Sequence, residues 1–175
     1  YDKWKIDVER VLEGSEKKVR EPKKTIKHNT IEVTTTNEIR EKIRKVERTL
    51  KSFILKSFND DVNQFKNAFP KICEDAEIQR EKTKIDTLDV PEGDMIDHIT
   101  LGTVIFIITN KDNSKYFPEW IYTHGHMLYY IKSFRNNMDH YTGENIEELF
   151  SNGDKIMVDI CCDKIMILLD KITNQ

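Results

Sequence analysis

NEIREKIRKVERTLKSFILKSF, residues 37–58, decides the fold. Its apolar residues Ile39, Ile43, Val46, Leu50, Phe53, Ile54 and Phe58 recur almost entirely at steps of three and four, with charged residues between them. That period lines one face of an α-helix, which must be buried against other elements. Asn37 is expected to cap it, with Glu41 in its first turn.

Helical patterns continue downstream. Val62, Phe65, Ala68 and Phe69 predict a shorter helix stopped by Pro70. Residues 71–86 are highly charged around a thin stripe of Ile72, Ala76 and Ile78, and the stretch 86–94, with Pro91 and Gly93, reads as a loop. Asp94 is expected to cap a buried helix over residues 95–109, although the β-branched run 103–109 also admits a strand. Residues 111–115 read as a turn, 120–134 as a helix entered after Pro118, and 145–150 as a short helical turn. Asp154 is expected to open a last helix carrying Ile156, Val158, Ile160, Ile165, Ile167, Leu168 and Ile172. The expected fold is an all-α bundle of five or six antiparallel helices over residues 37–175.

Residues 1–36 have a different character. Trp4, Ile6, Val8, Val11 and Leu12 suggest one short element; residues 14–27 are polar with no apolar period; residues 30–36 (TIEVTTT) favour extended backbone. This segment reads as an N-terminal arm or linker, with the domain boundary near Asn37. Residues 1–50 carry 14 Lys/Arg against 10 Asp/Glu, whereas 51–175 carry 14 against 21. The net charge of −3 argues against a protein that coats nucleic acid without selectivity, but it permits a local cationic site.

The three cysteines, Cys73, Cys161 and Cys162, form no disulfide framework. Two buried thiols and one more exposed are expected, in a reducing, cytoplasmic setting. The apolar run 99–108 is far shorter than the roughly 20 residues that span a bilayer, so no membrane partner is expected. A chain opening at Tyr1 suggests processing, or a piece of a longer protein with additional domains.

The segment Phe134–His140, FRNNMDH, carries the chemistry. Arg135 supplies a permanent cation able to grip a phosphate by two parallel hydrogen bonds, and His140 exchanges protons near neutral pH. Asn136 and Asn137 add amides. Residues five apart on a helix lie about 140° around its axis, so the two side chains converge only if the helix ends between them. Asn136, Asn137 and Asp139 are weak helix formers and Thr142-Gly143 follows, which favours such an end. The plain structural alternative makes Arg135 a cap for its helix's carbonyls and His140 an ordinary turn residue.

Arg135-Asn136-x-x-x-His140 between two apolar helices resembles the R-x4-6-H motif of the HEPN superfamily, the higher eukaryote and prokaryote nucleotide-binding domains. Residues 37–58 resemble the opening helix, and 99–117 the middle segment, of the branch found in transcript-surveillance endonucleases and bacterial defence proteins. The resemblance implies a helical domain that forms a homodimer and cuts RNA without a metal or other cofactor. Arg135 and His140 would be catalytic and Asn136 their polar helper, with Lys132, Asn137 and Tyr141 as substrate contacts. It also implies the role of a toxin, held by an antitoxin, or of a phage-defence effector. Some toxin members place a modifiable tyrosine two residues after the histidine. Here Tyr141 follows at once and Thr142 takes that place, so such regulation is not implied. A non-catalytic domain that dimerises or docks a larger partner is the other reading.

Weaker signals stand beside this one. His124-Gly-His126, with His98 or Cys73, offers metal-ligand residue types, but two histidines two apart on a helix diverge and no zinc spacing completes the set. Tyr129-Tyr130 with Lys132 suits either base stacking or packing. No phosphate-binding glycine loop, nucleophile elbow or H-E-x-x-H pattern occurs.

Overall fold

The structure is a computed structural model. It describes residues 34–87, 94–143 and 145–173, with the side chains of 83–87 and 173 left aside. The chain divides into two units, and the second, Val33–Gln175, holds every described residue. The expected arm and its short N-terminal element lie, up to residue 33, outside the described residues. So does most of the loop expected over 86–94.

Every regular element among the described residues is helical, and together they form a bundle. There are seven α-helices: α1 (Thr36–Lys56), α2 (Val62–Ala68), α3 (Pro70–Thr87), α4 (Leu101–Thr109), α5 (Trp120–Thr123), α6 (Gly125–Asp139) and α7 (Asn152–Thr173). Short 3-10 turns at Met95–His98, Lys111–Asn113 and Ile146–Glu148 link them. The strand alternative at 103–109 falls away, because α4 occupies that stretch.

The count exceeds five or six because the helix expected over 120–134 is broken in two; the one expected over 95–109 is also interrupted, its first turn becoming 3-10. At Ile99–Thr100 the backbone is extended and the Thr100 hydroxyl accepts from the Thr103 N–H, starting α4 afresh. The preceding turn, Met95–His98, packs instead against α3. At His124 the chain turns between α5 and α6, with the ring Nδ1 2.8 Å from the Trp120 carbonyl oxygen. Gly125 follows, and a Cβ there would stand 3.5 Å from Thr109 Cγ2, in ordinary contact between α6 and α4.

The cap of α1 lies two residues before the expected one. Thr35 is the N-cap, in a capping box with Glu38: the Thr35 hydroxyl accepts from the Glu38 N–H, and the Glu38 carboxylate accepts from the Thr35 N–H. Thr36, expected in extended backbone, is therefore helical and buried. Pro70 both ends α2 and opens α3, where its missing N–H costs nothing.

The core is drawn from α1, α4, α6 and α7. All seven apolar residues of the 37–58 stripe are buried, against Val104, Ile105 and Ile108 of α4, Leu128, Ile131 and Phe134 of α6, and Val158, Ile165 and Leu169 of α7. Two of the residues named for the last helix, Ile160 and Ile167, are exposed, while Cys161, Cys162 and Leu169 take core positions. All three cysteines are buried, correcting the expectation of one more exposed thiol. Phe53, Phe58, Phe65, Phe69, Tyr116, Phe117 and Trp120 form a continuous ring cluster tying the end of α1 to α2 and to the approach of α5. No helix among the described residues is long and apolar enough to cross a membrane.

Candidate active site

Helix α6 carries the motif to its last turn. It runs through Asp139, and His140 is its C-cap at φ −94° and ψ 0°, donating its N–H to the Asn136 carbonyl at 3.1 Å. The helix thus ends one residue short of the histidine, and helical phase is carried across the whole interval from Arg135. Two contacts hold this stretch of weak helix formers in register. Met138 is buried in the core, and Arg135 Nε lies 3.4 Å from Asp139 Oδ2, an i,i+4 pair across the last turn.

Arg135 consequently points toward α1. Its Nη2 lies 3.9 Å from Glu47 Oε2, and Glu47 is itself paired with Lys51 at 3.1 Å. Lys51 is buried and donates to the Asp97 carbonyl at 2.8 Å, which fixes the Met95–His98 turn beneath the site. Two carboxylates and two cations thus alternate across α1 and α6. Glu47 is nearly buried, at 14% side-chain exposure, whereas Arg135 keeps 32%. Neither contact of Arg135 closes to a hydrogen bond, so its five N–H donors have no hydrogen-bonded acceptor among the described residues.

The other motif residues face outward. Asn136, Asn137 and His140 are exposed, and the His140 ring makes no hydrogen bond or ion pair among the described residues. Tyr141 is half-buried and donates its hydroxyl to the Asn145 carbonyl at 3.0 Å. Lys132 is half-buried one turn before the motif, beside Gly102 of α4. One chain therefore groups Asn136 with His140 and sets Arg135 apart from them on the side facing α1. The site lies at a helix end; the cleft of about 230 Å³ lined by Val62, Lys66, Glu77, Arg80, Asp94, Met95 and Ile96 holds none of these residues.

Glu47 and Lys51 were not read as part of the site; Asp139, the histidine's neighbour in sequence, pairs with Arg135 and not with the imidazole. The Arg135–Asp139 and Glu47–Lys51 spacings were visible in the sequence; their meeting across two helices was not. His124 is occupied by Trp120 and Thr123, and no group of three or more His, Cys, Asp or Glu among the described residues is arranged to hold a metal ion.

Family models, curated proteins and solved structures, compared with this chain, contain no match.

Proposed function

We propose that the chain is a metal-independent endoribonuclease of the HEPN kind, acting as a two-fold dimer in which Arg135 and His140 work across the interface. The observation that supports this reading is the state of the two side chains. A guanidinium and an imidazole both reach solvent at one helix end, and neither is consumed by a hydrogen bond to protein. Arg135 does not cap the last carbonyls of α6; its pairs with Asp139 and Glu47 hold it at the helix end and leave its N–H groups open to a ligand.

The chemistry follows from RNA itself. One histidine takes the proton of the 2′-hydroxyl, whose oxygen attacks the adjacent phosphorus. A second histidine gives a proton to the departing 5′-oxygen, leaving a 2′,3′-cyclic phosphate and a 5′-hydroxyl. Arginines stabilise the charge that develops on the phosphorane oxygens. One chain has a single histidine in its motif, and its arginine lies around the helix from it. A two-fold axis supplies the second histidine and can set the arginine of one protomer beside the histidine of its partner. Asn136 and Asn137 offer amides to the ribose or phosphate. Asp139 and Glu47 hold the guanidinium in place.

Mixing tests this directly. Arg135→Ala and His140→Ala proteins, each folded, should be inactive alone on RNA in EDTA. Allowed to exchange subunits with the parent, an excess of the His140→Ala protein should suppress the parent's cleavage, because a mixed dimer keeps only one of the two histidines that the reaction uses. Fragments ending in cyclic phosphate are the expected product. Cleavage unaffected by either substitution sinks the proposal.

A second reading, a non-catalytic domain that dimerises or docks a partner, draws on a specific observation too. The two carboxylates around Arg135 offset its charge and weaken its hold on a phosphate. That reading predicts a folded, dimeric parent with no cleavage at all.

A further inference from the structure

We infer that the outer face shared by α4 and α6 is a stacking platform for an unpaired RNA strand, with Phe106 and Tyr129 as its two base-receiving rings. The inference rests on the ribonuclease reading for the chemical class of its ligand.

Large apolar side chains are costly to leave in water, yet Phe106 is 56% and Tyr129 49% exposed. They are not scattered. Helices α4 and α6 run antiparallel, with Thr109 Oγ1 3.1 Å from the Tyr129 hydroxyl and Lys132 Cε 3.1 Å from where a Cβ on Gly102 would stand. Phe106 lies between Gly102 and Thr109 on the same side of α4, since positions four and three apart share a face. The two rings therefore belong to one surface, with Lys132 Nζ 6.0 Å from the centre of the Tyr129 ring.

This surface leads to the motif. At about 100° per residue, Tyr129, Ser133, Asn136 and His140 fall within roughly 60° of arc along α6, while Arg135 lies about 120° away. At 1.5 Å per residue the stripe from Tyr129 to His140 is about 16 Å long, room for a few nucleotides. A strand with bases on Phe106 and Tyr129 would carry its backbone past Lys132 and Asn136 toward His140.

Charge favours this occupant. Helix α4 has no Asp or Glu, and the one carboxylate of α6, Asp139, is turned to Arg135. In a chain with a net charge of −3, two helices that bring Lys132, His126 and His140 to this face, and whose one carboxylate is paired with Arg135, complement a polyanion. Stacking on exposed rings beside a cation is how single strands are held without reading their sequence, and a duplex, whose bases are already stacked, gains little from it.

The test uses the full chain carrying His140→Ala, so that bound RNA is not cut. Fluorescence anisotropy with a labelled oligouridylate, and with its duplex on oligoadenylate, measures affinity. The single strand should bind more tightly than the duplex. Phe106→Ala and Tyr129→Ala should each weaken it on the order of tenfold or more, while Tyr129→Phe, which keeps the ring, should bind as the parent does. Both rings are exposed, and circular dichroism checks that the variants stay folded. Undetectable binding overturns the inference, as does binding indifferent to both alanines. If the alanines turn a dimer into a monomer with RNA binding unchanged, a second copy covers this face and the inference falls. Aromatic-dependent binding by a protein that never cleaves RNA would keep the platform and reject the ribonuclease reading. Cleavage by the parent that is indifferent to both rings would do the reverse.

Discussion

Arg135 and His140 illustrate how a helix distributes function among neighbouring residues. The guanidinium is steered by Asp139 one turn ahead and by Glu47 across the bundle, while His140 caps the helix with its backbone N–H and leaves its imidazole exposed on another side. At the same scale the cysteines show what burial does to chemistry. Burial pushes the Cys161 thiol to about 11 and, with the nearby Cys161, Asp159 and Asp163 adding to it, the Cys162 thiol to about 12. Burial raises Cys73 as well. At pH 8 the thiolate fraction of Cys161 is on the order of one in a thousand, and the thiolate is the reactive form. A thiol-specific chromogenic reagent at pH 8 should therefore leave the folded protein essentially unlabelled over minutes and titrate all three thiols in denaturant. Fast labelling of any thiol in the folded protein would contradict this placement.

At the scale of elements, the apolar period was enough to place α1 and its buried face, because seven residues on one stripe admit no other regular structure. Caps were harder to read. Asn37 looks like a cap by residue type, yet the Thr35-x-x-Glu38 box satisfies two N–H groups at once and starts the helix earlier. The breaks at Thr100 and His124 were illegible because each turns on one side-chain contact, the Thr100 hydroxyl with the Thr103 N–H and the His124 ring with the Trp120 carbonyl, that no apolar period announces. The end of α6 was misjudged for a tertiary reason. Weak propensity at Asn136, Asn137 and Asp139 is overruled by the burial of Met138. The caps are open to measurement. Thr35→Ala should cost about 1 kcal/mol in chemical denaturation, while Asn37→Ala, at an exposed position bonded only to Arg40, should cost a few tenths. Equal costs would assign the cap wrongly.

Across the whole molecule, residues far apart in sequence meet at charged contacts that no local pattern announces. The Glu47–Arg135 contact is one. The larger is Glu147, whose carboxylate accepts from the Thr36 N–H at 2.9 Å, the Thr36 hydroxyl at 2.8 Å and buried Lys155 at 2.8 Å. This joins the start of α1, the Ile146–Glu148 turn and α7. The Lys155 hydrogen bond foremost, with those from Thr36, holds the Glu147 carboxyl down at about 2, against an ordinary value of 4.5. The folded state therefore binds fewer protons here than the unfolded chain does. The stability this contributes is complete above pH 4.5 and is lost as the pH falls from there toward 2. Glu147→Gln removes the titration, so its denaturation midpoint should fall less steeply between pH 5 and pH 3 than the parent's. At pH 7 the variant should be the less stable, since Lys155 stays buried without its carboxylate. Glu38 and Asp61 are also lowered, chiefly by backbone N–H bonds at helix starts; Asp61 cancels in the comparison, and Glu38 nearly does, since the Glu147 charge is the smallest of the influences on it. The difference between the two pH profiles thus isolates the contact that closes the bundle, and parallel profiles would remove Glu147 from that role.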